Sequence, residues 1–184
     1  MTVIICPGIH SPQLTKSFIS CLQDRDNPNL GTDWLIFPEA NNLAYSPLAI
    51  FQWLQNHEPS PKQAPSMLFI CFSAGVVGGI GAALSWQMRG GKVKALLALD
   101  GWGVPLIANF PIHRLSHDYF THWTSALLGS GKDSFFAEPG VEHLDLWRSP
   151  DTTFGWWLKY PGCQIRCSAK KFILTFLNQY GEIR

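Results

Sequence analysis

The 184-residue chain is short of charge: Asp, Glu, Lys and Arg make up only 15% of it, and 14 basic residues against 13 acidic leave a net charge of +1. It has no long basic run, which argues against nucleic acid as the main partner. It also lacks any stretch near the ~18 consecutive apolar residues that a membrane span requires. The start, Met-Thr-Val-Ile-Ile-Cys, runs directly into Pro7-Gly8 without a positive flank, too short for a signal peptide and better suited to a first strand. No internal repeat, low-complexity tract or charged linker interrupts the chain. Cysteine is sparse, with five residues, odd in number and scattered. That usage suits a reducing compartment, so a cytoplasmic protein is expected. Cys163 and Cys167 have neither zinc-ligand spacing nor a second Cys/His pair, and no metal centre is expected from them.

What is present is apolar bulk. Hydrophobic residues are 46% of the chain, with eight Trp and twelve Phe, enough for one packed domain over residues 1–184. Such side chains mostly fill cores, but they also line pockets for apolar ligands. Short β-branched or apolar runs at Thr2–Cys6, Asp33–Phe37, Met67–Cys71, Lys94–Leu99 and Ser134–Ala137 read as strands, the last of them the final strand. Ser11-Pro12 and Ser46-Pro47 each place a capping serine before a first-turn proline and open helices. Gly75–Met88 reads as a helix despite four glycines, Asp118–Leu128 as a short helix in an irregular stretch, and Ala169–Tyr180 as a terminal helix. Strands alternate with helices, which predicts an α/β fold: a mostly parallel sheet with helices on both faces, in three layers.

The segment Met67-Leu-Phe-Ile-Cys-Phe-Ser-Ala-Gly-Val is strand, sharp turn and helix. A strained turn of this kind needs small residues two before and two after its central residue, because the flanking backbones close on one another. Cys71 and Gly75 stand at those places around Ser73. The run Cys71-Phe72-Ser73-Ala74-Gly75 resembles the nucleophile elbow of the α/β-hydrolase superfamily, G-x-S-x-G, with Cys in place of the first Gly. Two other readings stay open. Ser73-Ala74-Gly75-Val76-Val77-Gly78 is also a dinucleotide-binding G-x-G-x-x-G with its first Gly replaced by Ser, and Asp100 lies 22 residues beyond Gly78, where a ribose-binding acid would stand. A plain packed β–α turn is the third.

The resemblance implies a triad in the chain order Ser, acid, His. His143, in a loop after the last recognisable strand, is the expected base; His113, His117 and His122 are expected at the surface or lining a pocket. Asp100 is the favoured acid because it ends the strand that follows the nucleophile helix. Most members of the superfamily place the acid one strand later, which makes Glu138, just past Ser134–Ala137, the competitor, with Asp118 and Asp133 behind it. The oxyanion donors implied are the N–H groups of Ala74 and Ile9, the latter in Pro7-Gly8-Ile9-His10, and His10 would line the pocket mouth. Trp102, Val104, Leu106, Ile107, Phe110, Tyr119, Phe120 and Trp123 fall where larger members insert a cap and are expected to roof an apolar pocket. The function implied is hydrolysis of a carboxylic ester or thioester with an apolar acyl or alcohol group, through an acyl-enzyme and with no metal or organic cofactor. The alternative is a catalytically silent member of the same fold that binds a ligand or partner.

Overall fold

The first strand, β1 (Thr2–Cys6), is buried along its whole length. A strand covered on both faces must be apolar at every position, and this one is. The computed structural model describes residues 1–23, 33–38, 43–160 and 162–181. After β1 come α1 (Pro12–Leu22), β2 (Asp33–Ile36), α2 (Pro47–His57), β3 (Met67–Phe72), α3 (Ala74–Met88), β4 (Val93–Leu99), β5 (Ile112–Ser116), α4 (Tyr119–Ala126), β6 (Asp133–Ala137), α5 (His143–Arg148), β7 (Phe154–Tyr160), β8 (Cys163–Ser168) and α6 (Ala169–Gly181). The strands form one eight-stranded sheet in the order β2-β1-β3-β4-β5-β6-β7-β8. Pairings from β2 through β6 are parallel; β6–β7 and β7–β8 are antiparallel.

Alternation along the central strands splits the core in two. Val3, Ile5, Leu68, Ile70, Phe72, Ala95, Leu97 and Leu99 pack beneath Phe18 of α1, Trp147 of α5 and Phe172 of α6. Ile4, Cys6, Met67, Phe69, Cys71, Leu96 and Ala98 face the other way, against Phe51 and Leu54 of α2 and Ile80 and Trp86 of α3. Helices therefore cover both faces, as the alternation of elements predicts. Both serine–proline signals open helices: Ser11 and Ser46 are N-caps, and their hydroxyls accept from the Gln13 and Ala49 N–H groups.

Three sequence expectations need correction. The stretch 101–132 contains a strand, β5, before its helix. It was hidden because Ile112-His-Arg-Leu-Ser does not read as apolar, although every one of these residues is buried. Tertiary partners make that burial tolerable. The Arg114 guanidinium donates to the carbonyls of Gly101, Val104, Leu128 and Gly129, while one His113 nitrogen bonds the Tyr180 hydroxyl at 2.9 Å. Secondly, Ser134–Ala137 lies within β6 and is not the final strand, since the β7–β8 hairpin adds two more. Thirdly, His143 is the first residue of helix α5 rather than part of a loop. Among the described residues, no helix is long and apolar enough to cross a membrane.

Candidate functional site

In a parallel sheet the carboxyl ends of the strands share one edge, and ligands bind where the strand order reverses. Here the chain moves outward from β1 in both directions, to β2 on one side and β3 on the other. The turn after β3 carries Ser73 at φ 52°, ψ −120°. A non-glycine residue at positive φ is strained, and the surrounding packing has to hold it there. That packing is close. A side-chain carbon added to Gly75 would stand 2.1 Å from the Cys6 carbonyl oxygen, and one added to Gly8 would stand 3.1 Å from Ser73 Cβ. The β1 turn is thus pressed against the elbow from both sides. Cys71, where the hydrolase pattern has Gly, fits for a specific reason: a side-chain carbon on Gly79 of α3 would lie 2.3 Å from its sulfur. The bulk gained at position 71 is offset by the side chain missing at 79.

Ser73 occupies the N-cap position of α3 yet makes no capping hydrogen bond. Serine at that position ordinarily caps, so its hydroxyl remains available to the cavity it lines. The cavity has a volume of about 400 Å³ and is lined by Ser73, Ala74, Val77, Asp100, Trp102, Val104, His117, Thr121 and His143.

Asp100, just past β4, also has positive φ, at 52°. Its carboxylate is almost fully buried and organises the site. Oδ2 accepts from His143 Nδ1 at 2.8 Å and from His117 Nδ1 at 3.0 Å, while Oδ1 accepts from the His117 backbone N–H at 2.8 Å. The bond to Asp100 engages Nδ1 of His143, a residue that also lines the cavity. Ring stacking fixes the other side of this imidazole: Phe72 lies 4.8 Å away at 20°, and Phe72 in turn stacks on Trp147 at 5.0 Å. Trp147 then lies flat on Phe18 at 3.7 Å, so His143 rests on an aromatic column reaching into the core.

His117 was expected only at the surface or lining a pocket, and its bond to Asp100 had no sequence signal. It directly follows β5, the strand that composition concealed. The Asp100 hydrogen bond raises its pKa above the ordinary imidazole range; burial opposes the rise, and the charges of Asp100, Asp118 and Glu142 add to it. Its Nε2 stands 3.7 Å from Asp118 Oδ2. Asp118 also caps α4, accepting from the Thr121 N–H at 2.7 Å.

Glu138 lies away from the cavity; its side chain accepts from the Trp156 indole and its carbonyl from Arg166. Glu138 follows β6, whereas the strand after β4 is β5, which His117 and Asp118 follow. Asp133 accepts from the Trp157 indole at 2.9 Å. Ile9 sits exposed in the β1 turn. His10 packs against Phe72 and Trp147 and bonds the Ser11 carbonyl at 3.1 Å, and it does not line the cavity. His113 is buried at the opposite end of β5 from the site, and His122 stacks on Phe136. Of the residues expected to roof a pocket, Trp102 and Val104 line the cavity, Leu106 and Phe110 are core, and Ile107, Tyr119, Phe120 and Trp123 are exposed.

The dinucleotide reading meets two obstacles. The backbone of Cys6 and Pro7 occupies the space beside Gly75 where a pyrophosphate would approach, and Asp100 is committed to two imidazoles. No protein-family model and no curated protein sequence matches this chain.

Proposed function

We propose that this protein is a serine hydrolase of the α/β-hydrolase type, cleaving a carboxylic ester or thioester through an acyl-enzyme. The observation that carries the reading is the 2.8 Å bond from His143 Nδ1 to a buried Asp100 carboxylate, beside a serine held at positive φ on the same cavity. Asp100 keeps the proton of His143 on Nδ1, so Nε2 is the acceptor. Nε2 takes the Ser73 proton as Oγ attacks the acyl carbon. The same proton then passes to the leaving alcohol or thiol, and water repeats the sequence to free the acid. The Ala74 N–H at the start of α3 supplies one oxyanion donor and the Ile9 N–H the other. His143 is favoured over His117 as the base because the second nitrogen of His117 is already drawn toward Asp118. Trp102, Val104 and Val77 make one side of the cavity apolar, which suits an apolar acyl or alcohol group.

The test is covalent labelling. A fluorophosphonate is expected to add one phosphonyl group to the intact protein, and Ser73→Ala should abolish the adduct. Labelling that persists in the variant, or that never occurs in folded protein, would sink the reading in favour of a silent, ligand-binding fold.

A further inference from the structure

Asp100, His117 and His143 come from three separate strand and helix ends, yet one donor atom from each lies within 4.8 Å of the other two. Two imidazole nitrogens and one carboxylate oxygen are a donor set for a first-row divalent metal, zinc above all. Ligands bound at about 2.0–2.1 Å to a tetrahedral zinc stand about 3.3 Å from one another. The separations from Asp100 Oδ2, 3.0 Å to His117 Nδ1 and 2.8 Å to His143 Nδ1, fall only a few tenths of an ångström short of that. A second feature points the same way. A metal-bound histidine usually donates its far N–H to a carboxylate, and Asp118 Oδ2 stands 3.7 Å from Nε2 of His117. All three donor residues also line the cavity, which leaves space for water or a small ligand at an open coordination position.

We propose that Asp100, His117 and His143 form a reversible site for a zinc-class divalent cation, and that its occupation excludes the use of Asp100 and His143 as a proton relay. In the relay the Nδ1 proton of His143 is held by Asp100 and Nε2 carries the accepting lone pair. A metal takes the Nδ1 lone pair instead, so the single proton of the neutral ring moves to Nε2, while a His117 ring protonated at both nitrogens gives its Nδ1 proton to solvent. Nε2, the acceptor in the relay, becomes a donor, and no net proton leaves a neutral ring. Asp100 is drawn onto the metal in the same step. Metal binding does not rest on the hydrolase reading, because Ser73 is not a ligand.

The experiment uses the full-length protein, stripped with EDTA and desalted. Zn²⁺ is titrated by calorimetry, Co²⁺ by visible absorption, and long-range proton–nitrogen NMR reads which His143 nitrogen carries the proton. One equivalent is expected to bind in wild type and in Ser73→Ala, with the His143 proton shifting from Nδ1 to Nε2. His117→Asn and His143→Gln should each weaken binding by more than the roughly 10–100-fold that loss of an outer partner costs, with circular dichroism reporting folding. Absence of stoichiometric binding in wild type overturns the proposal, as does undiminished binding in either folded variant. Binding without the tautomer shift overturns the exclusion. The wild-type calorimetry and NMR decide these points even if a variant fails to fold. Metal binding by a protein whose metal-free form no fluorophosphonate labels would support the site and refute the hydrolase reading.

Discussion

Asp100→Asn is the perturbation on which the proposed mechanism makes its sharpest claim. The side chain accepts three hydrogen bonds, from the His117 N–H at 2.8 Å, from His117 Nδ1 at 3.0 Å and from His143 Nδ1 at 2.8 Å. Asparagine has the same shape and one acceptor atom. Placed toward the His117 N–H, its carbonyl keeps that bond and turns the NH₂ group toward both imidazoles. The opposite orientation sets two donors against each other, so the first is favoured. Both rings must then present an unprotonated Nδ1, and His143 carries its proton on Nε2, where it cannot accept one from Ser73. By analogy with the protease triad, turnover should fall roughly 10⁴-fold, which is about 5 kcal/mol of transition-state stabilisation. The fold should survive, because asparagine tolerates the φ of 52° found here as well as aspartate does. Hydrolysis of short p-nitrophenyl esters measures the loss, and near-ultraviolet circular dichroism checks the packing. Glu138→Gln should cost little, since that side chain meets only the Trp156 indole among the described residues. An Asp100→Asn protein within tenfold of wild type, with Glu138→Gln crippled, would refute the assignment of the acid.

Two further predictions concern stability. Burial lowers the His113 pKa from 6.5 to about 3, with the charge of Lys132 adding to it; Asp133 Oδ2 lies 3.5 Å away but forms no hydrogen bond to the ring. The folded value lies below the unfolded one, so as pH falls below about 6.5 the unfolded chain binds the proton first. Stability attributable to this group should drop by roughly 1.4 kcal/mol per pH unit until the folded pKa is reached. Urea unfolding between pH 6 and pH 4 should show a shallower fall in His113→Gln, and equal slopes would count against the reasoning. At the elbow, Gly79→Ala should destabilise by ~1–3 kcal/mol, because the new carbon meets the Cys71 sulfur. Adding Cys71→Ala should recover much of that loss, and strict additivity of the two changes would show that the sulfur is not the obstacle.

Much of the fold was legible in the sequence where local chemistry and burial agree. Thr2–Cys6, the two serine–proline helix starts and the Met67–Met88 strand–turn–helix all appear close to where the residues place them. Apolar runs covered on both faces, first-turn prolines and paired small residues act over a few positions and need no distant partner. Legibility failed where a partner far along the chain decides the outcome. Strand β5 carries His113 and Arg114 into the interior because Tyr180 and the carbonyls of residues 101–129 receive them. With that strand hidden, the strand after β4 reads as Ser134–Ala137, which puts Glu138 ahead of Asp118 as the competing acid although Asp118 is the one that follows β5. By itself, the sequence determined that a serine would sit at a strained turn of an α/β sheet, since that depends on neighbours within a few residues. Only the tertiary structure decided that Asp100 would hold two imidazoles, one of them stacked on Phe72. The two imidazoles lie 17 and 43 residues from Asp100, and no local spacing encodes the parallel sheet edge that brings them together.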